Sequence, residues 1–343
     1  MLASDLALYY VRELHLLQIL ADCHSQQAIL WLECIKMAID FENDLILITA
    51  ASGRQASGLL PRLATKAKHL RLQCVSDSSC QRLEKEYPQA EIVQTTFSSI
   101  DSAKKLLQNV AVCFLVSPAF ELRETQCGIN MIDAARENAR NGGPFKHMIH
   151  SSVIHPCLRA LTHHDAKRLI EEALVESKLP YTILQPTHQM DVVPIKVLVK
   201  QEEIVFKARF NPKTKMSFVN CHDLGEAVFN IINDLESHQY ATYQLISTRT
   251  PLDYHEAMAE VSKVVGKKVR VEAMTLDETI KDFGSTLPES MSEVEKGFVV
   301  ASWARMIVHY QEHGLLGNYN STKMLLGREP LGYREWVEMQ LKS

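Results

Sequence analysis

The chain has 343 residues, 46% of them hydrophobic and 23% charged, with a formal net charge of −4. That fits one large α/β domain, or one domain with a smaller lobe. Without a basic excess the electrostatic footprint of a nucleic-acid binder is missing, so nucleic acid is not expected as a partner.

The first 40 residues are leucine-rich and are predicted to be helical. Asp5 and Glu13 interrupt them, and no uncharged run approaches the roughly 20 apolar residues of a membrane span. No basic start leads into a clean apolar core, so a signal peptide is not expected either. The segment is either an extra helix docked on the domain or the product of a misassigned translation start.

From Asp44 the pattern becomes regular. "DLILIT" (44–49) predicts a strand, "ASGLLPRLATKA" a helix, and "LRLQCV" (70–75) the next strand. "SSCQRLEKEYP" is helix or turn, closed by Pro88, and "EIVQTT" (91–96) is a third strand. The amphipathic "SIDSAKKLLQNV" leads to a fourth, almost purely apolar strand, "AVCFLVSP" (111–118). A long helix over 121–140 follows, with Ile129, Ile132 and Ala135 on one side. Then come a strand (146–153), a helix (165–178) and a sixth strand, "YTILQP" (181–186).

Apolar runs, rather than strict alternation, indicate strands covered on both faces. The expected fold is therefore a doubly wound, Rossmann-like parallel sheet over 44–190. After residue 190 the alternation loosens. "KMSFVNCHDLGEAVFNIIND" reads as a short strand and an Asp223-led helix, "YATYQLIS" as a strand, and "DYHEAMAEVSKVVGK" as a helix capped by Asp253 and ended by Gly266. "KVRVEAM" is strand-like and the tail is helices and turns, so 191–343 is expected to form a smaller substrate-binding lobe.

The eight cysteines include no Cys-x-x-Cys pair, so no metal site is expected. Several lie in apolar runs, which reads as buried thiols in a reducing compartment, the cytoplasm.

In the expected fold ligands sit beyond the carboxyl ends of the strands. The stretches to inspect are 50–56, 76–77, 117–120, 151–155 and 186–190. The first, within "ILITAASGRQASGLL" (46–60), has the form of a dinucleotide-binding loop with two glycines replaced. Ala50 is tolerable there if its φ is negative. Ala56 stands where helix packs on strand, and Gly53 remains where backbone approach is closest.

These residues resemble the NmrA-like proteins, atypical short-chain dehydrogenase/reductases whose loop reads Thr-Gly-Ala-Thr-Gly-x-Gln-Gly. Thr49, Ala51, Gly53 and Gln55 match, Ser52 replaces threonine, and Ala50 and Ala56 replace glycines. "HHDAKRLIEEALVESKLPYTILQPTHQMD" (163–191), "MSFVNCHDLGEAVFNII" and "LLGREPLGYREWV" resemble the family in the same order. The resemblance covers about 44–338.

It implies an NAD(P)-dependent oxidoreductase acting on a small organic substrate, a carbonyl compound or a conjugated double bond. The alternative within the same family is a non-catalytic nucleotide sensor with a protein partner. Ala50, Ala51, Ser52, Gly53, Arg54 and Gln55 would hold the pyrophosphate, with Ser117, Ser151 and Pro186 lining the cofactor further along. Arg54 would meet a 2′-phosphate and favours NADP; Asp77, where the family often has arginine, would accept from a ribose hydroxyl and favours NAD. Thr96 stands where an aspartate usually helps hold the adenine.

Lys167 matches the family's active-site lysine and is expected to hold the nicotinamide ribose. His163, four residues earlier, stands where the broader superfamily has a tyrosine proton donor; its ordinary titration near neutrality suits that role. The plain alternative is that "THHDAK" only starts a helix. Ser151 or Ser152 would orient a carbonyl, unless either is a helix cap. His188 is a candidate pocket residue.

Overall fold

The computed structural model describes residues 38–342. The helix expected at the amino terminus lies, but for its last few residues, outside them, as do Cys23 and Cys34.

In chain order the elements are β1 (Leu45–Ile48), α1 (Arg54–Ser57), α2 (Leu60–Ala64), β2 (His69–Cys74), α3 (Asp77–Glu86), β3 (Glu91–Gln94), α4 (Ile100–Leu107) and β4 (Val110–Val116). They continue with α5 (Glu124–Arg140), β5 (His147–Ser151), α6 (Thr162–Ser177), β6 (Tyr181–Pro186), β7 (His188–Gln189), α7 (Ile195–Leu198), β8 (Ile204–Ala208) and β9 (Phe218–Val219). The rest are α8 (Cys221–Asn233), β10 (Ala241–Leu245), α9 (Tyr254–Val265), β11 (Val269–Ala273), α10 (Leu276–Gly284), α11 (Glu293–His313), α12 (Tyr319–Leu326) and α13 (Tyr333–Lys342).

Seven strands form one sheet in the order β10-β6-β5-β4-β1-β2-β3, every neighbouring pair parallel. The order reverses at β1, so a crevice opens between the connections that leave β1 and β4. Side chains alternate across the sheet as strand geometry requires. Ile46 and Ile48 join the core under α1, α2, α3 and α8, whereas Leu47 joins the core under α4, α5 and α6. That is the doubly wound arrangement. The chain re-enters the large sheet after residue 190, because β10 pairs with β6 in register from Ala241↔Thr182 to Leu245↔Pro186. A further core, including Phe218, Tyr333 and Trp336, is built mainly by the later elements and the β8–β11 pair.

Local signals explain the ends. Asp253 and Glu256 form a reciprocal capping box on α9, and Gly266 ends that helix at φ 68. The helix expected after β1 is broken into α1 and α2 at Gly58. A Cβ on Gly58 would lie 2.1 Å from the Cys221 carbonyl oxygen, and one on Gly225 would lie 2.2 Å from the Gly58 carbonyl carbon. The two glycines let α1 and α8 cross backbone to backbone. Asp223 does not lead α8: Asn220 caps it, its side chain accepting from the Asp223 N–H. The buried Asp223 carboxylate instead accepts from Ser247, Arg328 and the Leu331 N–H, tying α8 to the tail.

The cysteine reading needs correction. Cys74, the last residue of β2, is bonded to Cys80 of α3 (S–S 2.35 Å), because the strand end and the start of the helix bring their Cα atoms to 6.2 Å. Cys113, Cys127 and Cys221 are buried free thiols, and Cys157 is exposed. No helix among the described residues is long and apolar enough to cross a membrane.

Candidate functional site

β1 ends into a tight loop. Ala50 stands at φ 47, in the left-handed region, so the negative φ that would make alanine harmless here is not adopted. Its N–H donates to Gln73 Oε1 (2.8 Å), and the Ala51 N–H to the Gln73 carbonyl (2.9 Å). The Gln73 side-chain amide also donates to the Thr95 carbonyl (2.5 Å). Gln73, which no sequence signal singled out, therefore locks the loop to the ends of β2 and β3. Gly53 caps α1 with no side-chain bond, and its N–H donates back to the Ala50 carbonyl (2.8 Å). Arg82 Nη2 of α3 donates to the Ser52 carbonyl (2.7 Å).

The two residues weighed for cofactor type are not placed alike. Asp77 is exposed at the start of α3 and accepts from Gln94 Nε2 (2.7 Å). Arg54 is the first residue of α1, and its charge acts on the Cys221 thiol at the start of α8. Arg82, not Arg54, is the arginine bonded to the loop on its α3 side. The Thr96 hydroxyl bonds to Ser98 Oγ (3.0 Å), and its carbonyl accepts from Thr95 Oγ1 (3.1 Å).

At the carboxyl ends of β4 and β5 four of the expected residues converge. Ser151 Oγ donates to Gln55 Oε1 (2.5 Å). Lys167 Nζ donates to Ser117 Oγ (2.5 Å) and to the Ser151 carbonyl (3.4 Å). It also pairs with Glu124 Oε1 at 3.0 Å, and Ser117 Oγ donates to the same oxygen (3.1 Å). Lys167 and Glu124 are 7% and 1% exposed, so this is a buried ion pair, with Ser117 and the Ser151 carbonyl as the other partners of the ammonium. Glu124 was not foreseen; the only hint was a carboxylate at the start of an otherwise apolar-faced helix. Pro186 ends β6, its carbonyl accepting from the Ile154 N–H (3.0 Å).

α6 begins at Thr162, which puts His163 and Lys167 one turn apart on the buried face. Burial pushes the His163 pKa down to about 2. At neutral pH it is a neutral imidazole, so the imidazolium that a proton donor would use is not formed. Its Nε2 lies 3.2 Å from Tyr310 Oη of α11, and Tyr310 Oη lies 2.6 Å from His164 Nε2. The ring of Phe120, in the loop after β4, lies 4.6 Å from the His163 ring. His188 turns into the later core, bonded to Tyr254 Oη (2.8 Å) and edged by Phe210 and Phe218, so it belongs to that core's packing.

A structure of NADPH-dependent quinone oxidoreductase QOR2 from Escherichia coli, complexed with NADPH, is similar at TM-score 0.68 and 18% identity, over 87% of this chain and 100% of that one. Triphenylmethane reductase from Citrobacter sp., complexed with NADP(H), is similar at TM-score 0.66 and 18% identity, over 86% and 99%. NmrA, a negative transcriptional regulator, in complex with NAD, is similar at TM-score 0.65 and 15% identity, over 86% and 94%. No curated protein matches the chain by sequence. At these identities the likeness is one of fold. The model of the NmrA-like family matches residues 42–301, most of the chain, and the protein therefore belongs to the NmrA-like family.

Proposed function

We propose that the chain is a reductase dependent on a nicotinamide dinucleotide, NADP(H) in preference to NAD(H), acting on a small carbonyl compound or conjugated double bond. The observation that carries this is the convergence of Gln55, Ser117, Ser151 and Lys167 at the carboxyl ends of β4 and β5. The loop before it fits a dinucleotide. A Cβ on Gly53 would lie 3.0 Å from the Ala50 carbonyl oxygen, so a side chain there would crowd the turn where a pyrophosphate would approach. The uncapped first turn of α1 points its N–H groups the same way. When bound, the dinucleotide supplies the hydride. Ser151 and Lys167 would hold its nicotinamide ribose, and Arg82 would meet the 2′-phosphate that distinguishes NADP. Two of the similar structures hold NADPH or NADP(H), which supports the choice.

One observation favours a second reading, a nucleotide-sensing regulator. Lys167 is paired with Glu124 and bonded to Ser117 and the Ser151 carbonyl, and burial keeps His163 neutral, so no imidazolium stands at the site to donate a proton.

Calorimetric titration of NADPH and NADH into the wild type, Gly53→Asp and Arg82→Ala tests both, followed by NADPH oxidation with quinone and dye acceptors. The reductase reading expects tight NADPH binding abolished by Gly53→Asp, a preference over NADH lost in Arg82→Ala, and turnover lost in Lys167→Ala. Binding without turnover on any acceptor supports the sensor. Absence of binding sinks both.

A further inference from the structure

Thr162 and His163 open α6, and both form part of the wall of a cavity of about 210 Å³; Phe120, Glu124, Arg159 and Phe298 also line it. The hydrogen bonds behind this wall have a fixed direction. The His155 carbonyl can only accept, so His164 Nδ1, 2.9 Å away, carries a hydrogen. Burial pushes the His164 pKa down to about 4, so the ring is neutral and its Nε2 is a bare acceptor. Tyr310 Oη therefore donates to His164 Nε2. The Tyr310 oxygen is left to accept, and the neighbour that donates to it is His163 Nε2. A neutral His163 protonated at Nε2 has a bare lone pair at Nδ1.

That Nδ1 is buried and has no hydrogen-bond partner, and the same is true of Thr162 Oγ1. A buried polar atom left unpaired loses its bonds to water and gains none in return. Both atoms are closed to solvent, on adjacent residues of one cavity wall, and a polar partner entering the cavity would pair them once the wall shifts. The charges on the wall are already matched: Glu124 to Lys167 (3.0 Å), Asp165 to Arg168 (2.8 Å) and Arg159 (3.7 Å), Glu121 to Arg123 (3.8 Å). The site therefore suits a neutral ligand. Phe120, held at φ 60, and Phe298 make its walls aromatic.

We propose that this cavity binds a neutral aromatic ligand bearing a hydroxyl or N–H group, whose hydrogen is accepted by His163 Nδ1 while the Thr162 hydroxyl bonds beside it. The Phe120 ring lies against the imidazole, so the ligand displaces or stacks on that ring as it enters. Calling the ligand the substrate rests on the reductase reading; its binding does not.

The test is calorimetric titration of 2-naphthol and its methyl ether, 2-methoxynaphthalene, into the full chain without nucleotide. Naphthol is expected to bind about tenfold more tightly than the ether, the worth of one good hydrogen bond, and the two to bind alike in His163→Leu. Nitrogen NMR of the wild type, which needs no variant to fold, should show His163 protonated at Nε2 and bare at Nδ1. A protonated Nδ1, equal binding of the two probes, a preference that survives in His163→Leu, or no binding of either would overturn the proposal. Because no nucleotide is present, each of these outcomes is separate from the fate of the cofactor reading.

Discussion

Ala50 carries a backbone conformation that favours glycine, in the loop that defines the family. A side chain in the left-handed region costs about 1–2 kcal/mol, part of which glycine gives back as chain entropy in the unfolded state. Ala50→Gly is therefore expected to stabilise the protein by roughly 0.5–1 kcal/mol in urea unfolding; a loss of stability would mean that the loop does not adopt this turn. The buried Lys167–Glu124 pair behaves differently. Removing one member leaves a buried charge unmatched, at a cost of about 3–5 kcal/mol, whereas replacing both with apolar residues is much milder. Glu124→Ala should thus destabilise more than the double variant Glu124→Leu/Lys167→Met, and equal losses would argue that the pair is not formed. Neither feature was visible in the sequence. The side chain that holds the Ala50 N–H, Gln73, and the partner of Lys167, Glu124, each lie on another element far along the chain.

At the scale of elements, the crossing of α1 and α8 positions the nucleotide loop. Its contact is backbone against backbone at Gly58 and Gly225. Gly225→Ala places a methyl where the carbonyl carbon of Gly58 already stands, so the helices must separate. A loss of about 1–3 kcal/mol is expected in denaturant unfolding, with weaker nucleotide binding in the fraction that folds. A variant as stable as the wild type would mean that the helices do not meet here. The same crossing explains why the helix expected over 56–67 is two short pieces. Local propensity favoured one helix, but Gly58 must leave helical line for α8 to pass. Elements whose signals are purely local were read more closely: β6 matches residue for residue, and α9 begins and ends at its expected cap and glycine.

At the scale of the whole molecule, four histidines among the described residues are buried and a fifth, His188, is half-buried in the later core, and all five are held neutral. Burial pushes His147 and His150 down to about 3, His163 to about 2, and His164 and His188 to about 4. Unfolded, each titrates near 6.5. Between those values the unfolded chain binds protons that the folded chain does not, so stability is full above about pH 6.5 and is lost as pH falls. Each histidine contributes a slope of at most about 1.4 kcal/mol per pH unit. Urea unfolding at pH 7.5, 6 and 5 should show a steep decline below 6.5; unchanged stability at pH 5 would contradict the burial of these rings.

Although α7 and β8 had no signal that was read, the sequence alone was enough for the order of the first six strands and most helices between them, the parallel sheet with helices on both faces, and the family. Those depend on apolar runs, caps and turn residues, which act over a few positions along the chain. Only the tertiary structure decided which groups meet. It brought Glu124 to Lys167, Gln73 and Arg82 to the loop, Tyr310 to His163, and β10 to the edge of the sheet. It also joined Cys74 to Cys80, and made His163 an acceptor, where the ordinary titration of histidine had suggested a donor. Partners far apart in sequence and the degree of burial are properties of packing, and no local pattern encodes them.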